Sequence, residues 1–364
     1  MNYSVPRIGY ACNNLDLTPN VFKTCRINRL DNSRLVELIA HNLDVLEAMI
    51  DYSIENNNHM LRLSSSIIPF ASSKENTFNW SDHFKENFSR MYEKIANYDI
   101  RISCHPGQYT VLNSPDPLVL ENSIAELEYH CKLLELLSGK QSAKMVLHIG
   151  GVYGNKEDAI ARFIKVYHRH EALLRKHLVI ENDDRLYTIE DVLYISEKTS
   201  LPVVFDNLHH LINPSLLDHS ISDILQKVKM TWASQDGNPK VHYSQQAMGK
   251  RPGAHSTTID LNLFQQDYIR AYRDFGFDIM LEVKDKNRSF LKVNALLHPS
   301  KQTLEKEWAR YKYWVLARSH PNYLAIRSML KQDHVDVVSF YEIIDRSINA
   351  RSSFHKTVNA LHHI

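Results

Sequence analysis

Eight short apolar, β-branched runs recur along the chain, and stretches with helical period separate most of them. They are RIGYA (7–11), MLRLSS (60–65), RISCH (101–105), KMVLHIG (144–150), LVIEND (178–183), PVVFDN (202–207), KVHYSQ (240–245) and DIMLEV (278–283). Residues 33–54 place Leu35, Leu38, Ile39, Leu43, Leu46, Met49 and Ile50 on one stripe, the spacing of an amphipathic helix. Residues 116–137 open with Asp116, which suits a cap, and Pro117, which suits the first turn. Residues 155–174, 188–199, 214–230 and 259–273 repeat the pattern, each opening near Ser, Thr, Asn or Asp. Strand and helix in alternation predict parallel strands, because parallel neighbours need a crossover. Eight such units are the number that closes a barrel. The expected fold is α/β, a (β/α)8 TIM barrel over residues 1–286. Beyond residue 284 the strand pattern stops, and residues 302–317, 322–331 and 336–349 read as helices. Residues 287–364 are therefore expected to be a helical C-terminal extension packed on the barrel.

Composition limits the partners. With 43% apolar residues over 364, the chain can bury a sizeable core. A net charge of +1 announces no nucleic-acid binder, so any attraction for DNA must come from a local basic face. Cys12, Cys25, Cys104 and Cys131 show no Cys-x-x-Cys spacing, which fits free thiols in a reducing compartment. The opening MNYSVPRIGYACNN lacks the pattern of a signal peptide. No apolar run approaches the ~20 residues of a membrane span. The expectation is a cytoplasmic protein with no membrane association and no obligate protein partner, working as a monomer.

The strand ends carry the chemistry. His105 ends the third run, His148 the fourth and Glu181 the fifth. Asp206 ends the sixth and is followed by His209; His242 lies in the seventh, Glu282 in the eighth, and His255 in the loop between those two. A β/α barrel gathers its C-terminal strand ends on one face, where active sites are built. Acidic residues after greasy segments such as Leu-Val-Ile or Ile-Met-Leu need a strong counter-charge, because a buried unpaired carboxylate costs several kcal/mol. Divalent metals supply it, and mixed imidazole and carboxylate donors suit Zn2+, Mn2+ or Fe2+ better than Mg2+ alone. One histidine on a strand is most often a packing residue. Ligand-type side chains at successive strand ends outweigh that reading, and eight donors exceed one tetrahedral site. His210 points away from the cluster, whereas His168, His170, His362 and His363 read as surface residues.

The blocks RIGYACNN, RLSSSIIPFAS, CHPGQY, VLHIGG, IENDDR, FDNLHH, PKVHYSQQ with KRPGAH, and LEVKDK, in this order, resemble the ultraviolet-damage endonucleases. The resemblance runs from residue 7 to about residue 286, and that family is related to endonuclease IV and the xylose-isomerase-like barrels. It implies a metal-dependent DNA-repair endonuclease that nicks immediately 5′ of cyclobutane dimers, 6-4 photoproducts and abasic sites. The products would carry a 3′-hydroxyl and a 5′-phosphate. It also implies three divalent ions, with Mn2+ favoured and Zn2+ the alternative. His105, His148 and Glu181 would hold one, Glu181 would bridge to a second on Asp206, His242 and Glu282, and His209 and His255 would hold the third. Endonuclease IV has an Asp two residues before its last third-site histidine; Gly253 stands there in this chain, leaving that site short of a ligand.

Glu181, Glu282, His242 and Lys240 are the candidate catalytic residues. Lys240 lies two residues before His242 and shares its face of the strand. It is either a phosphate-neutralising cation or a carbamylated, anionic ligand. Pro106 and Gly107 would hold Gln108 and Tyr109 outward, where the resemblance assigns them to probing the gap left by extruded bases. Tyr10 and Asn14 would line the lesion pocket or contact its backbone; barrel-rim packing is the competing reading for Tyr10. Arg62, Lys250, Arg251, Lys284 and Lys286 would contact phosphates of damaged double-stranded DNA. Two rivals remain: a metal-dependent sugar isomerase or epimerase on the same barrel, and a non-catalytic DNA-binding barrel. The first does not need the Gln-Tyr loop or the basic loops, and the second does not need the buried ligands.

Overall fold

The structure is a computed structural model that describes residues 6–29 and 31–349. His362 and His363 lie outside the described residues. Eight parallel strands close into a barrel in sequence order: β1 (Ile8–Ala11), β2 (Met60–Leu63), β3 (Arg101–Cys104), β4 (Lys144–His148), β5 (Leu178–Glu181), β6 (Val203–Asp206), β7 (Lys240–Tyr243) and β8 (Asp278–Leu281). The eight runs read from the sequence are these strands, each trimmed at its ends, and the architecture is the (β/α)8 TIM barrel.

The crossovers are helical and locally capped. α1 (Asn32–Glu55) starts at Asp31, whose carboxylate accepts from Arg34 N. α2 (Lys85–Asn97) follows β2; α3 (Pro117–Leu137) has Asp116 as its cap and Pro117 in its first turn. α4 (Lys156–Arg169) is capped by Asn155. α5 (Ile189–Thr199) and α7 (Ile221–Met230) open on reciprocal capping boxes, Thr188 with Asp191 and Ser220 with Asp223, while α6 (Asn207–Ile212) springs directly from β6. Each cap satisfies amide donors that the first turn leaves unpaired. The stretch expected as one helix over 214–230 starts only after Ser220, because that residue turns its side chain onto the Asp223 amide. The expected helix over 155–174 breaks at His170, and that over 259–273 is α8 (Leu261–Asp267) followed by a π turn.

Strand register fixes which side chains fill the barrel. Residues paired across the sheet share a face, and residues two apart along a strand return to it. Starting from His242, the pairings to Asp206 and Met280, and onward to Gly9 and Met60, put all of these inside. The interior is layered. Val146, Val179 and Val204 form one apolar cluster and Ala11, Met60 and Met280 another. Below them lies a charged floor, where Arg101 Nη1 is 2.7 Å from Asp278 and Lys144 Nζ is 2.6 Å from Asp236. A Cβ at Gly9 would stand 2.5 Å from the Met60 carbonyl oxygen, so only glycine allows this approach of β1 to β2.

The chain divides into two compact units. Met1–Thr258 and Asp267–Phe290 form the barrel unit; Ile259–Gln266 and Leu291–Ile364 form the second. α9 (Asn287–Leu297) runs across the boundary between these segments, and α10 (Lys301–Arg318), α11 (His320–Met329) and α12 (Val337–Asn349) belong to the second unit. Its core holds Leu304, Val315, Ile326, Phe340 and Ile344. The cysteines are all free thiols. Among the described residues, no helix is long and apolar enough to cross a membrane.

Candidate active site

Glu181, at the tip of β5, is the hub of the barrel mouth. Its carboxylate lies 2.8 Å from His242 Nδ1, 3.3 Å from His105 Nε2, and 3.7 Å from both His148 Nε2 and His209 Nδ1. His242 Nδ1 is also 3.0 Å from Glu282. Two sets of side chains therefore stand close enough to share an ion: His105, His148 and Glu181, and Glu181, Asp206 and His242, with Glu181 common to both. They come from five strands whose ends meet because the barrel closes.

The electrostatics of the mouth ask for cations. Asp206 is fully buried; His209 N donates to its Oδ1 at 2.8 Å, while Oδ2 has no hydrogen-bond partner. Burial pushes its carboxyl up to about 8, against the pull of His209 and with the help of Glu181 and Glu282. Burial also lowers His148 and His242, favouring the neutral imidazoles that bind metals. Burial works against the Glu181 anion too, but His242, His148 and a hydrogen bond from His105 outweigh it and hold the carboxyl well below the usual range. His242 Nε2 and His148 Nδ1 are buried without partners. Orphaned donor atoms of these types, gathered around carboxylates, fit divalent ions.

The third expected pair is less complete. His209 Nδ1 is 2.9 Å from the Asn182 carbonyl, and His255 sits in the loop after β7, where it bridges to Gln246. Neither belongs to a close three-residue set among the described residues. Gly253 adopts φ +78°, and a Cβ there would stand 3.2 Å from Asp184 Oδ2. A carboxylate from the loop after β5 therefore lies beside position 253. Nothing in the IENDDR block marks Asp184 apart from its neighbours; only its place beside Gly253 in the fold does. Arg185 Nε lies 3.7 Å from the same oxygen.

Lys240 is buried inside the barrel, and its amine has no hydrogen-bond partner. Burial, reinforced by Arg101 and Arg62, brings the ammonium down to about 7. His210 turns away from the mouth and packs 5.3 Å from the Phe205 ring.

The loops correct part of the sequence reading. Gln108 and Tyr109 stand outward, Tyr109 at 82% exposure, on a turn closed by Thr110 N to Gly107 O. Tyr10 and Asn14, expected at the lesion pocket, are instead fully buried and bonded to each other at 2.9 Å. Tyr10 alternates with the inward Gly9 and Ala11, so it faces the helix layer and packs against Tyr52 and Phe290. Arg62 is also a correction: it is an inward residue of β2, 9% exposed, and its guanidinium is paired with Glu282 rather than free for a phosphate. That pairing, with His242, holds the Glu282 carboxyl down against burial. Arg251, Lys284 and Lys286 line, with Arg62, His255 and Glu282, a cavity of about 530 Å3 beside the mouth. Lys250 is exposed on the same loop as Arg251. His168 is exposed as expected, and His170 is half-buried.

Known proteins resemble this one along most of its length. A family model described as UV-endonuclease UvdE matches residues 6–306. A UV DNA damage endonuclease of Clostridium perfringens is 37% identical over 346 residues, covering 93% of this chain and 82% of that protein. One from Bacillus cereus (strain G9842) is 33% identical, covering 71% of this chain and 82% of its own length. The crystal structure described as SacUVDE superposes with a TM-score of 0.75 at 36% identity, over 81% of this chain and all of that one. Endonuclease IV from Thermus thermophilus has a TM-score of 0.50 at 14% identity, covering 80% of this chain and 99% of that one, a likeness of fold alone. With its barrel, its ligand-lined mouth and these matches, the chain belongs to the UV-endonuclease UvdE family and is a DNA-repair endonuclease.

Proposed function

We propose that the barrel mouth holds three divalent ions, with Mn2+ favoured, and cuts damaged duplex DNA immediately 5′ of cyclobutane dimers, 6-4 photoproducts and abasic sites. The cut leaves a 3′-hydroxyl and a 5′-phosphate. The observation that carries this reading is Glu181, one buried carboxylate common to two ligand sets. His105 and His148 would share the first ion with it, and Asp206, His242 and Glu282 the second. His209 and His255 would hold the third, with Asp184 as the carboxylate in place of a residue at 253. When bound, clustered divalent ions supply an activated water nucleophile and offset charge on the leaving oxygen.

The chain's own residues do the rest. Arg62 holds Glu282 from behind, so its carboxylate keeps one orientation. Lys240 lies on the same inward face as His242. A buried amine without a partner is a poor ammonium, which supports the carbamylated form over the phosphate-neutralising cation. The neutral amine would add carbon dioxide and release one proton, so the native protein equilibrated with isotope-labelled carbon dioxide should show a carbamate carbon signal by NMR that Lys240→Arg lacks; no such signal in the wild type contradicts that form. Outside the mouth, Tyr109 and Gln108 present a ring and an amide to the strand gap that a lesion opens at reduced stacking cost. Lys250, Arg251, Lys284 and Lys286 provide the local positive face that a net charge of +1 conceals.

The test is strand scission on a duplex oligonucleotide carrying one thymine dimer, with Mn2+ and then with EDTA. A chelator-sensitive cut directly 5′ of the dimer, with ends that ligase and end-labelling identify as 3′-hydroxyl and 5′-phosphate, is expected. A protein that binds metal yet leaves the strand intact, or cuts elsewhere, contradicts the proposal.

A further inference from the structure

The C-terminal region carries a charge that the whole chain does not. Residues 287–364 hold twelve Lys and Arg against six Asp and Glu, in a protein of net charge +1. From 301 to 331 the imbalance sharpens to seven against two, Glu305 and Glu307. Glu307 is turned into the second unit at 3% exposure, with Tyr341 Oη 3.4 Å from its carboxylate.

On α10 these cations are interleaved with exposed rings. The helix buries Leu304 and Val315, yet Tyr313 is 71% and Trp314 58% exposed. Each ring has a cation over its face: Lys312 Nζ lies 4.9 Å from the Tyr313 centroid, and Arg318 Cζ 4.8 Å from that of Trp314. Trp314 and Arg318 are four residues apart and so share one side of the helix, whereas Arg310, one turn earlier, is paired with Glu307 at 3.6 Å. Two adjacent exposed aromatic rings on a water-soluble helix mark a surface with a partner more often than a scattered leucine does. An apolar protein partner would cover the rings but strand the cations away from water, which is costly. An acidic peptide would take the cations and leave the rings idle. A polynucleotide takes both, its phosphates on the cations and its sugars or unstacked bases on the rings.

We propose that the Tyr313–Trp314 side of α10 is a second DNA-contacting surface, in addition to the barrel mouth. It holds the backbone of the substrate duplex through Lys312 and Arg318 and packs the two rings on its sugars. The family match ends at residue 306, so this face lies beyond the region that the family model describes. The proposal takes DNA as the substrate and requires nothing about where the cut falls.

Two full-length variants test it, Tyr313→Ala with Trp314→Ala, and Lys312→Gln with Arg318→Gln. Binding to a duplex of about 40 base pairs, on the order of 140 Å long, is followed by fluorescence anisotropy over a salt series. The aromatic variant is expected to bind about tenfold more weakly. The cation variant is expected to lower the slope of log affinity against log salt by about 2. In both, the cutting rate at saturating enzyme and the thermal midpoint stay at the wild-type values. Unchanged affinity and unchanged slope overturn the proposal. It is equally overturned if the wild type sediments as a dimer that the aromatic variant splits while DNA affinity holds, because the face would then join two copies of the chain. The variants remove different groups, so a folding defect in one leaves the other to decide.

Discussion

Asp206 and Tyr10 show how much a single position can and cannot reveal. Asp206 announces itself in the sequence, an acid directly after Val-Val-Phe, and the structure leaves one of its oxygens buried and unpaired. Tyr10 was legible too, but only through alternation: with Gly9 and Ala11 inward, position 10 must face the helices. Tyr10→Phe should leave lesion cutting unchanged while costing about 1–3 kcal/mol of stability, since the buried Asn14 amide loses its acceptor. Urea denaturation measures the cost, and a large fall in the cutting rate would return Tyr10 to the lesion pocket. Asp184 was not legible, because its relation to Gly253 joins two loops far apart in sequence. Asp184→Asn should lower the bound metal by about one ion per chain without disturbing the Glu181 sets. Native mass spectrometry with an unchanged metal count would remove Asp184 from the third site.

At the scale of elements, strands were easier to read than crossovers. Each strand is a short apolar run bounded by polar turns, a local signal. The helical period over 214–230 extends beyond the helix itself, which Ser220 and Asp223 start late, and the six residues of α6 are too few to show a period. The charged floor was also hidden: Arg101, Lys144 and Asp278 look like ordinary strand-edge charges until the barrel closes over them. Asp278→Ala should cost about 3–5 kcal/mol by thermal or urea unfolding, because the buried Arg101 guanidinium keeps its carbonyl partners but loses its paired carboxylate. A cost near zero would mean that water reaches the floor. Between α1 and α2, Glu47 is 2.9 Å from Lys94 and 2.6 Å from Arg90. The Arg90 hydrogen bond, opposed by burial and aided by Lys94, brings Glu47 down to about 2 from 4.5. A carboxyl depressed by folding stabilises fully above its unfolded value and loses that contribution as pH falls through its folded one. The stability gap between wild type and Glu47→Gln should therefore be constant above about pH 5 and close between about pH 4.5 and 2. A gap independent of pH would show that the bridge contributes nothing through ionisation.

For the whole molecule, the fold and the gathering of His, Asp and Glu side chains at the barrel mouth were legible because both repeat: eight strands, and such a side chain at the end of most of them. The charge arrangement was legible only as composition, since which cations stand outward and which are committed, as Arg62 is to Glu282, depends on the closed barrel. At the mouth, Glu181 is the one carboxylate common to both sets of side chains that could hold an ion. The most direct test is the metal content of the purified protein by inductively coupled plasma mass spectrometry, wild type against Glu181→Gln, with circular dichroism to confirm the fold. About three ions per chain are expected in the wild type, at most about one in a folded variant, and no cutting by that variant. A folded Glu181→Gln protein that retains the full complement of metal would contradict the shared role of Glu181.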